Sequence, residues 1–297
     1  MKKEAMLYEK NGNGELHCYL CSHHCRLKDG EWGACGVRSS SGGKLYTSVY
    51  GETVEANVET AGRGLAYQQL KGSKSYILGA VGCNFRCGHC NYAQVSQISK
   101  SDLDKKLGFT QAPREVMHAA LRNGCKSVRF DYTEPTVYFE YVYDIAGLAK
   151  KSGLKTIMAT NGYMTSSAAD LLKDRIDVFL VDLKSFSDEF YARACGAKLR
   201  PVLDTIGYLK SSGLWVEVST LIIPGQNDSE NELKDIAGFI SDTGKDIPWH
   251  ITRMEPDFKC MDSLIAPVES LLKARKLGKE RGLRHVEAPR NFNPVMV

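Results

Sequence analysis

The 297-residue chain has no run of about 18 consecutive apolar residues, so nothing in it reads as a membrane-spanning helix. Its start, MKKEAMLYEKNGNGELHC, lacks an apolar h-region, which argues against a secretory signal and makes the cytoplasm the expected location. Charge of one sign is scarce. Lys and Arg number 39 against 35 Asp and Glu, and no basic stripe is long enough to track phosphates, so neither nucleic acid nor a membrane surface is an expected partner. Repeats are absent, and the one low-complexity tract, SSSGGK at 39–44, reads as a flexible loop.

Cysteine, by contrast, is plentiful, with ten in the chain. In a reducing compartment, cysteines at short spacing are metal ligands or redox groups more often than disulfides. Seven fall in two clusters, while Cys125, Cys195 and Cys260 stand apart and read as small buried hydrophobes.

The chain divides near residue 75. Residues 1–74 form a Cys- and Gly-rich module with short strand-like pieces and no long amphipathic helix. From 75 to 297, strands and helices alternate. SYILGAVG, KSVRFDY, KTIMAT, DVFLVDLKS, WVEVSTLII and PWHITRM read as strands, each followed by a helical pattern. The strands are continuous apolar runs, as a parallel sheet covered on both faces requires. Gly in SGL and RGL suits helix C-terminal caps, and NDSENEL supplies an N-terminal cap near residue 230. Six β-α units with right-handed crossovers give an α/β fold, a partial six-stranded barrel carrying a small Cys-rich N-terminal module.

Polar residues gather at the carboxyl ends of these strands, where α/β proteins build their sites. Cys83, Cys87 and Cys90 follow the first strand, and Thr133 and Glu134 the second. Asn161 ends the third, and Asp182 and Lys184 end the fourth. Glu217 and Ser219 lie on the fifth, His250 and Arg253 on the sixth. Such convergence points to an enzyme.

The loop CNFRCGHC has three thiolates at x3 and x2 spacing and no fourth close by. Three thiolates can each hold a different iron of a [4Fe–4S] cube, leaving the fourth iron open to an outside molecule. An open position is a catalytic device, as it is at zinc. A zinc ion would need His89 as its fourth ligand, and between two thiolates His89 has little freedom to reach the same metal.

CNFRCGHC also matches the CxxxCxxC signature of radical SAM enzymes. With HCYLCSHHCRLKDGEWGACGVR, DYTEPT, MATNGYMT, VDLKSFSDEFY, EVSTLIIPGQNDSENEL and PWHITRMEPD, the chain resembles the AmmeMemoRadiSam system radical SAM enzymes, relatives of the pyruvate formate-lyase activating enzymes. The resemblance implies that Cys83, Cys87 and Cys90 hold the cluster and that S-adenosylmethionine (SAM) occupies the open iron. Reductive cleavage then gives methionine and a 5′-deoxyadenosyl radical that abstracts hydrogen. It places Glu134 near the SAM amino group, a carboxylate against an ammonium. Asn161, Asp182 and Lys184 fall at SAM-binding positions, with Lys184 against the carboxylate, and His250 on the ribose or sulfonium side. On a strand Asp182 and Lys184 share a face, so a structural ion-pair network is the alternative reading of those two.

The resemblance further implies an electron donor such as flavodoxin or ferredoxin. The target is an unidentified small molecule or protein side chain, in a pathway shared with Memo and AMMECR-type proteins. Activation of a glycyl-radical enzyme is the second reading, and a non-catalytic Fe–S or zinc binding or electron-transfer module the third. The chain ends without the Cys-bearing tail of several relatives, and VETAGRGLAYQQLKGSKS departs from their usual segment before the first strand.

Upstream, Cys18, Cys21, Cys25 and Cys35 stand at x2, x3 and x9. Four thiolates close a site. That suits a structural zinc or an auxiliary cluster, which spacing does not separate.

Overall fold

The computed structural model describes residues 2–12, 14–61, 70–98, 108–254 and 265–288. The six expected strands are present as β1 (Ser73–Ala80), β2 (Ser127–Phe130), β3 (Lys155–Thr160), β4 (Val178–Asp182), β5 (Trp215–Ile222) and β6 (Trp249–Arg253). They lie side by side in that order, all parallel. The helices after them are α1 (Pro113–Arg122), α2 (Phe139–Lys151), α3 (Ser166–Leu172), α4 (Leu199–Ser211), α5 (Glu230–Thr243) and α6 (Val268–Glu280). The result is a partial (β/α)6 barrel.

Local chemistry explains the helix limits. Thr165 Oγ1 accepts from Ala168 N, and Ser229 Oγ from Glu232 N, each satisfying an amide that the first helical turn leaves free. Pro113 opens α1, where its missing N–H costs nothing. At the other ends, Gly153, Gly213 and Gly282 have φ of 72°, 77° and 86°, the left-handed conformation that stops a helix.

Three strands extend the sheet beyond the expected six. Val286–Glu287 adds a parallel strand beside β6, Glu52–Ala61 runs antiparallel along β1, and the short Phe109–Thr110 pairs antiparallel with the outer edge of Glu52–Ala61. The second lies within the segment read as the N-terminal module, so the barrel sheet draws on residues before 75. The tract at 39–44 is a hairpin end rather than a flexible loop: its serines and Lys44 belong to the paired strands Arg38–Ser41 and Lys44–Thr47, and only the two glycines form the turn. Gly42 and Gly43, at φ 58° and 70°, supply the two positive values that a two-residue hairpin turn needs. Cys260 and the carboxyl-terminal residues from 289 lie outside the described residues.

Apolar side chains of the sheet, among them Phe130, Phe179 and Trp249, are fully buried under the helices. Each contributes about 1.5–3 kcal/mol of burial. Cys125 and Cys195 are buried as well. Among the described residues, no helix is long and apolar enough to cross a membrane.

The N-terminal module docks by backbone and by charge. Ser22 N donates to Tyr163 O at 2.9 Å, and Thr165 N donates to Leu20 O at 3.2 Å. Arg38 of the module pairs with Glu140 on α2, both 1% exposed. Met6 adds its amide to Glu140 Oε1 at 2.7 Å and its carbonyl to Arg38 Nη1 at 3.0 Å.

Candidate active site

β1 ends at Ala80, and the chain turns through Gly82 at φ 97° into the cysteine loop. A Cβ on Gly82 would stand 2.5 Å from Val37 Cγ1 and 3.2 Å from Cys35 O. Only glycine lets this loop lie directly against the N-terminal module.

The loop is pinned on several sides. Arg86 N and Gly88 N, flanking Cys87, donate to Cys195 O at 2.9 Å and Ala194 O at 3.1 Å. Both carbonyls belong to the π-helical turn Tyr191–Cys195, and such turns recur at functional sites. Gln97 Nε2 holds Cys87 O at 2.6 Å. Phe85 N donates to Cys83 Sγ at 3.3 Å, and Cys90 Sγ lies 3.3 Å from Ser96 Oγ. The hydrogen bond from the Cys195 thiol and the nearby Lys184 charge hold Cys87 below the usual thiol value despite its burial. Burial and the charge of Glu134 push Cys83 the other way.

One cavity of about 390 Å³ opens beside this loop. Its lining includes the three cysteines and all five SAM positions that the sequence suggested: Glu134, Asn161, Asp182, Lys184 and His250. The volume lies within the range of small-molecule sites.

The groups play different parts. Asn161 Nδ2 donates to Asn84 Oδ1 at 2.7 Å and reaches Cys83 Sγ at 3.8 Å, joining the end of β3 to the cysteine loop. Glu134, 1% exposed, accepts from Thr136 N, Thr136 Oγ1 and Thr160 Oγ1 through one oxygen and from Asn161 N through the other. Its carboxylate therefore ties the ends of β2 and β3 together.

Lys184 Nζ lies 3.2 Å from Asp182 Oδ2, the same-face pair that strand spacing suggested. Burial works against the Lys184 charge, but Asp182 and the thiols of Cys87 and Cys195 outweigh it and hold the ammonium protonated. Burial, reinforced by the Lys184 charge, brings His89 down to about 4 and leaves its ring neutral. His250 Nε2 sits 2.6 Å from Glu217 Oε2, and Glu217 also accepts from Trp215 Nε1 at 2.8 Å. Glu217 lies behind His250 rather than in the cavity. Arg253 donates to Ala266 O, a structural bond.

Several lining residues were not singled out from the sequence. Arg129 and Asp131 pair at 2.5 Å on the cavity wall, and burial raises Asp131 despite that partner. Tyr132, at φ 69°, and Tyr92 meet edge to face with ring centres 5.5 Å apart. The spacing of Arg129 and Asp131 at the end of β2 repeats that of Asp182 and Lys184 at the end of β4, a signal available in the sequence.

Among the described residues, no three His, Cys, Asp or Glu side chains are grouped to hold a single metal ion. A cubane cluster asks for a different arrangement, because each thiolate meets its own iron and the sulfurs stand around a cage. Cys83, Cys87 and Cys90, facing one cavity with no fourth cysteine on its wall, fit three ligands and an open position.

The model of the Radical SAM superfamily matches residues 77–240, more than half of the chain, and the chain belongs to that superfamily of enzymes. Membership implies a [4Fe–4S] cluster and SAM, and removes the reading as a non-catalytic module. The chain is 35% identical to an uncharacterised protein of Methanocaldococcus jannaschii over 285 residues, 96% of this chain and 84% of that protein. It is 24% identical to the pyruvate formate-lyase-activating enzyme of Clostridium pasteurianum over 69% of this chain and 88% of that enzyme. Among solved structures, a radical SAM methyltransferase from Sphaerobacter thermophilus shares the fold at a TM-score of 0.59 and 14% identity, covering 76% of this chain and 69% of that one.

Proposed function

We propose that this chain cleaves SAM reductively, and that the resulting 5′-deoxyadenosyl radical takes a hydrogen atom from a small molecule or a protein side chain. One observation carries the reading: three loop thiols and five polar side chains contributed by β2, β3, β4 and β6 and the segments that follow them line a single cavity. When bound by Cys83, Cys87 and Cys90, the cluster supplies one electron to the sulfonium and an open iron for the amino and carboxylate groups.

The remaining work falls to the protein. Lys184, protonated beside Asp182, faces the SAM carboxylate. Asn161 offers its amide next to Cys83. Glu134 acts as a positioning residue for the SAM amino group, keeping the end of β3 in register with the loop. His250, oriented by Glu217, serves the ribose or sulfonium side. Arg129, Asp131 and Ser219 on the remaining wall suit a polar target. Reduced flavodoxin or ferredoxin supplies the electron. The four N-terminal cysteines hold a second metal centre, and the resemblance to AmmeMemoRadiSam enzymes favours a pathway shared with Memo and AMMECR-type proteins.

A second reading, activation of a glycyl-radical enzyme, is favoured by the similarity to an activating enzyme along 88% of that enzyme's length. Deuterium tracing separates the two. The reduced protein is incubated with SAM and either deuterated small-molecule pools or a deuterated glycyl-radical partner, and the 5′-deoxyadenosine is weighed. Deuterium from a small-molecule pool supports the first reading. Deuterium from the partner, with a protein radical in its EPR spectrum, supports the second. Deoxyadenosine that takes deuterium from neither source overturns hydrogen abstraction as stated.

A further inference from the structure

Next to the first cysteine of the loop, the chain buries an amide nitrogen from which no described residue accepts. Asn84 is 2% exposed, and among the described residues its Nδ2 is a buried atom without a hydrogen-bond partner. An unpaired buried donor costs about 1–3 kcal/mol, so native chains rarely keep one without a use.

A chain of bonds fixes which way this amide faces. Tyr163 N donates to Asn161 Oδ1 at 3.0 Å, so the Nδ2 of Asn161 is the end turned toward the loop. That Nδ2 donates to Asn84 Oδ1 at 2.7 Å, which turns the Nδ2 of Asn84 away from Asn161. A flipped Asn84 would set two donors against each other. The backbone on either side is held as well. His23 Nε2 donates to Asn84 O at 2.7 Å, and Phe85 N donates to Cys83 Sγ at 3.3 Å. Asn84 Oδ1 lies 3.9 Å from Cys83 Sγ, so the amide stands against the thiol itself.

The orphan nitrogen needs an acceptor, and the thiols beside it suit a group rich in acceptors. A [4Fe–4S] cluster carries sulfides and thiolates, and hydrogen bonds to those sulfurs help to set its potential. We propose that Asn84 Nδ2 donates an N–H···S hydrogen bond to the SAM cluster and raises its reduction potential, with Asn161 and His23 as the residues that aim it. The inference rests on the proposed function only in taking Cys83, Cys87 and Cys90 as cluster ligands. One added electron puts negative charge on the cluster sulfurs, and a fixed N–H dipole then favours the reduced form. His23 belongs to the N-terminal module, so that module reaches the cluster through one imidazole.

The test compares wild type with Asn84→Leu, which keeps the bulk and removes the N–H. Should leucine overpack the loop, Asn84→Ala removes the same donor. Both are reconstituted anaerobically with iron and sulfide, matched for iron content, and followed by EPR-monitored redox potentiometry. The couple read is the one absent from protein with Cys83, Cys87 and Cys90 all changed to alanine. At a fixed potential the ratio of reduced to oxidised cluster is expected to fall about tenfold in the Asn84 variants, ~59 mV for a one-electron couple. Electron–nuclear double resonance on the reduced cluster is expected to show one exchangeable proton fewer than in wild type. Loaded variants with the wild-type potential, or with every exchangeable proton still coupled, overturn this inference alone. A wild type that binds no iron at the three loop cysteines overturns the cluster and this inference with it. A shifted potential in a protein that never cleaves SAM sinks the function and spares the inference.

Discussion

Breaking the Arg38–Glu140 pair should loosen the N-terminal module from the barrel. Both side chains are 1% exposed, Arg38 comes from the module, and Glu140 comes from α2. Arg38→Met leaves the Glu140 carboxylate buried with Met6 N as its remaining donor. Glu140→Gln leaves the guanidinium buried beside Cys18 and the Met6 carbonyl. Removing one partner of a buried pair costs about 3–5 kcal/mol, because the other charge stays desolvated. For a chain of this size that lowers Tm by roughly 6–10 °C. In the double variant both charges are gone and the amide that replaces the Glu140 carboxylate still accepts from Met6 N, so its cost should match one single variant rather than the sum. The coupling is then about 3 kcal/mol. Anaerobic calorimetry on the metal-loaded protein reads all four corners of this cycle. Single variants within about 2 °C of wild type, or a double variant equal to the sum, would refute the reasoning.

Cys87→Ala should abolish SAM cleavage while the metal bound by Cys18, Cys21, Cys25 and Cys35 stays in place, checked by metal analysis beside product formation. Lys184→Met should weaken SAM binding about tenfold or more in an equilibrium titration, since a buried carboxylate loses its cation. Asp177 is lowered below the usual Asp value, because bonds from Lys155 and Thr156 outweigh its burial. A depressed folded-state value gives stability that is present above the unfolded value of 3.8 and is lost as pH falls through the folded one. Asp177→Asn should therefore unfold at a lower temperature than wild type at pH 7, with the gap closing as both are acidified below 3.8.

The barrel strands were legible because both faces are covered, which forces continuous apolar runs such as FLVD and TIMAT. Val286–Glu287 is two residues long and carries no such run. TVEANVET reads as strand-like and lies in the strand Glu52–Ala61, but its pairing with β1 is a tertiary event that the local sequence does not specify. The site residues were readable because they close apolar strands, and the cavity gathers all eight of the cluster and SAM positions suggested.

What each residue touches was less readable. The four donors to Glu134 come partly from Thr160 and Asn161, 26 and 27 residues further along, and only the fold brings them there. Cys195 read as a buried hydrophobe and is buried, yet it stands against Cys87 because a π-helical turn carries it under the loop. Arg129 and Asp131 show that same-face charged pairs on barrel strands merit attention whenever they occur.

The central claim is that three cysteines and an open iron cleave SAM. The direct measurement is 5′-deoxyadenosine formed by the anaerobically reconstituted, reduced protein, compared with variants that lack Cys83, Cys87 or Cys90. The account predicts deoxyadenosine and methionine in equal amounts from wild type and none from any of the three variants. A fully loaded, reducible cluster that leaves SAM intact, or a cysteine variant that turns over normally, would contradict it.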